Sequence, residues 1–320
     1  MVSNIFLALS NFSVVDIAGR GLDHLYLAAK RVEKGIPCLK AAESLAKAVK
    51  PKENVIIGTG FTIAKVQRGE TDGPPGAAVL AKQLETIGVR TIIVTDPHNV
   101  EIVESVCSEI EVENCEVEPF SLDLGQVRED TERILRDYRP SALIAIERPG
   151  WNRKQVYHTL SGLDISGHCS PLDILFEEAF RRKILTIGIG DGGNEIGMGK
   201  IRESVEEFIP NGRTCKCPCG GGIAAVTRTS HVLVGGTSNL ASYALTASYA
   251  LLTNSSYTHD GVEEAKLIYA AFEAGAVDGI TGHNTPSVDT IPVEVNSKLA
   301  DVIYLLAEQH QHRVSISSVD

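Results

Sequence analysis

Short apolar, β-branched runs alternate with helix-length amphipathic runs along almost the whole of this 320-residue chain, and that alternation leaves few folds open. The strand-like runs are Asn54–Ile57, Thr91–Thr95, Glu116–Phe120, Ala142–Ile146, Ile184–Ile189 and His231–Val234. Between them lie helices with recognisable starts. One is capped by Asp96 with Pro97 in its first position, and another opens at Ser170-Pro171 and carries Leu172, Leu175, Phe176 and Ala179 as one stripe. The pattern predicts an α/β three-layer sandwich, with a mostly parallel central sheet covered by helices on both faces. Helical spacing also fills Asp23–Lys50, Val262–Ala274 and Ser297–Gln309. No repeat or low-complexity linker interrupts the chain. Residues 1–320 therefore read as one α/β domain, with 1–50 a helical segment packed on it and 283–320 a C-terminal extension.

Charge narrows the partners. A formal net charge of −11 argues against nucleic acid or an anionic membrane, since both need a basic face. No apolar run is long enough to cross a bilayer. Met1–Val15 lacks basic residues ahead of its apolar part, which speaks against a secretory signal and predicts a cytoplasmic protein. Seven cysteines, an odd number, suit free thiols in a reducing compartment. A small-molecule partner remains. Ser238–Leu252 is apolar nearly all round and serves equally as core or as subunit interface, so a homo-oligomer stays open.

The chemistry concentrates after the fifth strand, in Gly188-Ile189-Gly190-Asp191-Gly192-Gly193-Asn194-Glu195-Ile196-Gly197-Met198-Gly199-Lys200. Open α/β sheets bind ligands in loops at the carboxyl ends of their strands. Gly188, Gly190 and Gly193 match a dinucleotide fingerprint, but Asp191 and Glu195 would set carboxylates beside a pyrophosphate, and Gly197 and Gly199 break the helix it needs. No Gly-Lys-Ser/Thr follows, which excludes a Walker-type loop. A site for a metal ion or a polar small molecule fits better than either. Other strand ends carry compatible groups: Thr59-Gly60, then Asp72 in a Gly/Pro-stiffened loop, Glu147-Arg148, and Ser238-Asn239. Each has a bland reading, as an ion pair or a helix cap. Together they predict one converging site.

Four stretches carry a resemblance: Thr59-Gly60-Phe61, Glu70–Gly76, Glu147-Arg148-Pro149-Gly150 and Gly190–Lys200. Through them the chain resembles the D-glutamate cyclase family, over about Arg20 to Gly282. The resemblance implies a hydro-lyase that cyclises D-glutamate to 5-oxo-D-proline, with a divalent cation, Mn2+, as its aid. The chain departs from the family's common Ser-Asn-Trp-Gly at Ser238-Asn239-Leu240-Ala241. Such a reaction needs the charge on the side-chain carboxylate neutralised, a proton taken from the ammonium and one given to the departing oxygen. The expected catalytic residues are thus Glu147, Arg148, Asp191 and Glu195, with Asp191 and Glu195 as metal ligands or acid/base groups. Arg148 or Lys200 would hold a substrate carboxylate. The amides of Gly192, Gly193, Thr59 and Gly60 would form an anion cradle, and Asp72, Asn194, Ser238 and Asn239 would complete the substrate site. Two alternatives stay open: a non-catalytic binder of an amino acid or nucleotide, and a metal-dependent hydrolase of another lactam or amide.

Cys215-Lys216-Cys217-Pro218-Cys219 offers three sulfurs at a spacing that shows no fourth zinc ligand, so a thiol-rich loop and an occasional disulfide compete with a metal site. His158, His168 and His283 read as loop histidines.

Overall fold

Every run expected as a strand takes its place in one six-stranded sheet. The computed structural model describes residues 2–63 and 65–317. The chain enters through α1 (Val2–Phe12), α2 (Asp23–Glu33) and α3 (Pro37–Ala48), then β1 (Asn54–Thr59) and a small hairpin, β2 (Thr62–Ile63) and β3 (Arg68–Gly69). Helices and strands then alternate: α4 (Pro74–Glu85), β4 (Arg90–Thr95), α5 (Val100–Glu109), β5 (Cys115–Pro119), α6 (Val127–Tyr138) and β6 (Ala142–Ile146). The alternation continues with α7 (Leu172–Arg181), β7 (Leu185–Gly190), α8 (Arg202–Phe208), β8 (His231–Val234) and α9 (Ser238–Thr253). The chain closes with α10 (Gly261–Glu273), the hairpin β9 (Ser287–Val288) and β10 (Ile291–Pro292), and α11 (Val293–Ser317).

The large sheet has the order β5-β4-β1-β6-β7-β8, with every pairing parallel. Strand parity explains the three layers. Val55, Ile57, Ile93, Ile144, Ile187, Ile189 and Leu233 point to one face, where α3, α4, α5 and α9 cover them. Ile56, Ile92, Val94, Leu143 and Ala145 point to the other, against Val127 and Ile134 of α6 and Leu172, Leu175 and Phe176 of α7. On that second face α2 and α8 pack Leu25, Ala29 and Val205 against Val232 and Val234 at the β8 edge. The all-apolar helix resolves as core: α9 is buried from Ser238 to Ala250 and packs on α3, α4 and α11. Among the described residues, no helix is long and apolar enough to cross a membrane.

The strand order reverses direction between β1 and β6, and a crevice opens outside the carboxyl ends of strands at such a point.

Candidate active site

Three strand ends deliver the acids. Glu147, the first residue after β6, adopts φ of 43°, a left-handed conformation that costs a non-glycine residue about 1 kcal/mol or more. Strain of this kind is retained where a side chain must be aimed. Beyond β7, Gly193 turns with φ of 93°, and a Cβ there would meet Val205 at 2.5 Å, so only glycine serves. The turn folds Glu195 back onto its own loop, where its carboxylate accepts the Gly192 and Gly193 amides, each at 2.7 Å. The Gly150 and Ile196 amides stitch this loop to the one after β6, donating to Asn194 O at 2.8 Å and Arg148 O at 2.9 Å.

The β1 side contributes Asp72, whose two oxygens accept the Ser238 and Asn239 amides at 2.8 and 2.9 Å, at the first turn of α9. Asn239 returns the favour to α4, its Oδ1 accepting the Gly73 and Gly76 amides at 3.0 and 2.9 Å. Two helix starts therefore cap each other. Ser238 Oγ donates to Glu147 Oε2 at 2.5 Å, fixing that carboxyl at the meeting point.

One cation enters from far away in sequence. Arg20, ahead of α2, places Nη2 2.7 Å from Asp191 Oδ2 and Nη1 2.7 Å from Asp289 Oδ2, the latter in the β9–β10 turn. Its Nε is buried without a hydrogen-bond partner. Arg20, Glu70, Glu147, Asp191, Glu195 and Asp289 line a cavity of about 730 Å³, whose other wall is the loop Thr159–Ile165 with Phe61 and Ile63.

The electrostatics follow from crowding. Six buried carboxyl groups (Glu70, Asp72, Glu147, Asp191, Glu195, Asp289) crowd together, and three of them, Asp72, Asp191 and Asp289, act on the Arg20 guanidinium. Burial, the largest cause, pushes Asp191 up to about 7 against the pull of Arg20. Burial and the neighbouring Asp289 bring Asp72 to about 7, although it sits at a helix N-terminus. Burial and Asp191 bring Asp289 to about 8. Glu147 lies well above the usual carboxylate range, through burial and then Asp191 and Glu195. Glu195 is also raised by burial, though the loop amides oppose the rise.

Two trios offer ligand oxygens within 4.8 Å of one another: Glu147, Asp191 and Glu195, and Asp72, Asp191 and Asp289. A set built only of carboxylate oxygens fits a hard divalent cation, which would also relieve the crowded negative charge.

The other expected residues lie as follows. Arg148 is fully buried and directed away from the cavity. It forms a bidentate pair with Asp96, at 2.6 and 2.8 Å, and also donates to the Gly60 and Ser170 carbonyls. Its pairing with Asp96 holds Arg148 on the opposite side of the chain from Glu147, which faces the crevice. Lys200 pairs with Glu33 at 2.7 Å and donates to the Ser230 carbonyl, beside β8. The Thr59 hydroxyl is buried beneath Gly73 without a partner. Asn194 lines the cavity, while its Nδ2 donates to His158 O at 2.8 Å. Because Glu195 takes the Gly192 and Gly193 amides, that turn holds a carboxylate of its own chain where an anion cradle was expected. Arg20 and Asp289 had no local signal. Neither follows a strand of the large sheet, and 269 residues separate them.

A family described as D-glutamate cyclase-like, C-terminal, matches residues 9–303. The chain is also 27% identical, over 328 aligned positions, to a Homo sapiens protein named D-glutamate cyclase, mitochondrial. That alignment takes in 90% of this chain and 50% of the human protein, so the chain spans about half the length of that relative.

Proposed function

The chain belongs to the D-glutamate cyclase-like family, and from that premise we propose that it closes D-glutamate to 5-oxo-D-proline with loss of water, as a carbon–oxygen lyase. One observation carries the reading. Glu147 and Asp191 face the same cavity, yet their surroundings set them to different tasks. Glu147, pushed well above the usual carboxylate range by burial and then by Asp191 and Glu195, suits the acid, whereas Asp191, brought to about 7, suits a base near neutrality.

The bond changes match these roles. The amine nitrogen attacks the side-chain carboxyl carbon, and one carbon–oxygen bond breaks. Two protons pass from nitrogen to the departing oxygen, which leaves as water. Asp191 takes a proton from the ammonium, and Glu147 delivers one to the leaving oxygen. Arg20, which lines the cavity and has one buried nitrogen, Nε, without a partner, offsets negative charge on the substrate. A divalent cation, Mn2+ in our proposal, would be held by Asp191 and Glu195, leaving Glu147 to donate its proton, and when bound would supply Lewis-acid neutralisation of the side-chain carboxylate. The cavity wall at Thr159–Ile165 keeps the substrate folded, which makes ring closure an oriented intramolecular step.

The test is incubation of the purified protein with D-glutamate, with and without Mn2+, following 5-oxoproline by chromatography and mass spectrometry. D-Glutamate should yield 5-oxoproline and L-glutamate much less. Binding of D-glutamate without product would overturn the lyase and leave a binder. Ring opening of other lactams alone would point to a hydrolase.

A further inference from the structure

The structure assigns a second metal centre, away from the carboxylate cluster: a closed Cys3His site for Zn2+ made by Cys215, Cys217, Cys219 and His158. The three sulfurs fall where the Cys-x-Cys-x-Cys spacing leaves them. The fourth ligand, hidden from the sequence, is a histidine carried in from the loop after β6. His158 is not a solvated loop residue; it is buried, at 1% exposure.

The distances describe a ligand shell. Cys215 Sγ lies 3.5 Å from Cys217 Sγ and 3.3 Å from Cys219 Sγ. His158 Nε2 lies 3.2 Å from Cys217 Sγ and 3.5 Å from Cys219 Sγ. Four ligands around tetrahedral zinc stand about 3.5–3.8 Å apart, given Zn–S of about 2.3 Å and Zn–N of about 2.0–2.1 Å. The sulfurs are free thiols, not a disulfide. Cys219 Sγ also receives the Gly221 amide at 3.3 Å and Asn152 Nδ2 at 3.5 Å, an arrangement suited to a thiolate. Three sulfurs and one imidazole nitrogen select zinc among the common divalent ions, and four protein ligands leave no open position, so the site is structural. Binding displaces the thiol protons to solvent and leaves the imidazole neutral.

Its position gives it a task. Immediately after His158 comes Thr159–Ile165, the loop that walls the catalytic cavity. The cysteine segment already touches that loop, since the Lys216 amide donates to Gly162 O at 3.1 Å. Asn194 of the acidic loop bonds His158 O from the other side. A metal here pins the cavity wall to the segment after α8. Its loss should loosen substrate binding before it touches the proton-transfer groups.

Elemental analysis of the full chain, expressed with zinc, tests this without any assay of turnover. About one zinc per chain is expected. It should be lost in the Cys217→Ser/Cys219→Ser double variant and kept in Asp191→Asn, which disables only the carboxylate cluster. Should the double variant fail to fold, Co2+ loaded into the wild-type protein supplies the second readout. Thiolate coordination gives intense near-ultraviolet charge transfer and strong visible bands of tetrahedral Co2+. A disulfide mapped between any two of Cys215, Cys217 and Cys219, zinc below about a tenth of stoichiometry with no such bands, or zinc unchanged by the double substitution would each overturn the assignment.

Discussion

Arg20→Met isolates the electrostatic core of the site. Arg20 keeps only 12% of its side chain exposed and makes two ion pairs of 2.7 Å, to Asp191 and to Asp289. Removing one partner of a buried pair costs about 3–5 kcal/mol, because the abandoned charges stay desolvated. Unfolding entropy of about 2.1 cal/mol/K per residue amounts to about 0.7 kcal/mol/K for this chain, so Tm should fall by about 4–7 °C at pH 8. Acid should erase much of that loss. Asp191 and Asp289 have folded pKa values of about 7 and about 8, above those of an unfolded chain. The folded protein therefore holds protons that the unfolded chain has released, and stability falls as pH climbs from about 4 through 7–8. At pH 5, below both folded pKa values, the two groups are neutral in the folded protein and lose little when Arg20 goes, so the drop should shrink to less than about half. Calorimetry of wild-type and variant protein in chelator at pH 5 and pH 8 decides the matter. An equal Tm shift at both values, or none at pH 8, would refute the account. In Arg20→Met/Asp289→Asn, part of the loss at pH 8 should return, since one orphaned charge is gone.

Asp191→Asn and Glu147→Gln should each lower turnover by about 10²–10⁴ with circular dichroism close to wild type. Tm should stay close to wild type in Glu147→Gln, while Asp191→Asn, which leaves Arg20 with Asp289 alone, lowers it by less than Arg20→Met does. In the wild type, kcat/KM should rise through about pH 7 as Asp191 loses its proton; turnover by Asp191→Asn at the wild-type rate would remove the base from the scheme. Arg148→Met should behave differently, costing about 3–5 kcal/mol of stability by stranding Asp96 in the interior, seen as a lower urea midpoint. A fully stable but inactive Arg148→Met would instead return Arg148 to the catalytic group.

Where the chemistry is local, the sequence already displays it. Glu147 and Asp191 stand at the ends of apolar runs, with Glu195 four residues further along the same glycine loop, and the ends of parallel strands are places that a one-dimensional pattern can locate. The six strands and the core identity of their residues follow from the same periodicity. What escapes is long-range pairing. Arg20 looks like any basic residue in a loop, and Asp289 sits in a two-residue turn inside a segment that read as an extension. Arg148 lies beside Glu147 in sequence, which suggests a shared site, whereas its buried partner Asp96, 52 residues away, draws it elsewhere. Asp72 and Asn239 are polar and near the crevice, yet they serve the helix starts, with Asn239 Nδ2 also donating to the Thr71 carbonyl at 3.3 Å. Spacing shows three sulfurs, but only the fold brings the imidazole to them.

The mutual clasp of Asp72 and Asn239 bears on how this crevice can be remodelled. Each side chain serves a helix that the other helps to seat, so a lone change at either position bares two amides and slackens both helices at once. Drift at these two positions is therefore joint or not at all. A library seeking activity on other substrates does best to freeze that pair and diversify the cavity-lining side chains of Thr159–Ile165, a loop closed at its base by the Ile165 amide donating to Tyr157 O at 3.0 Å.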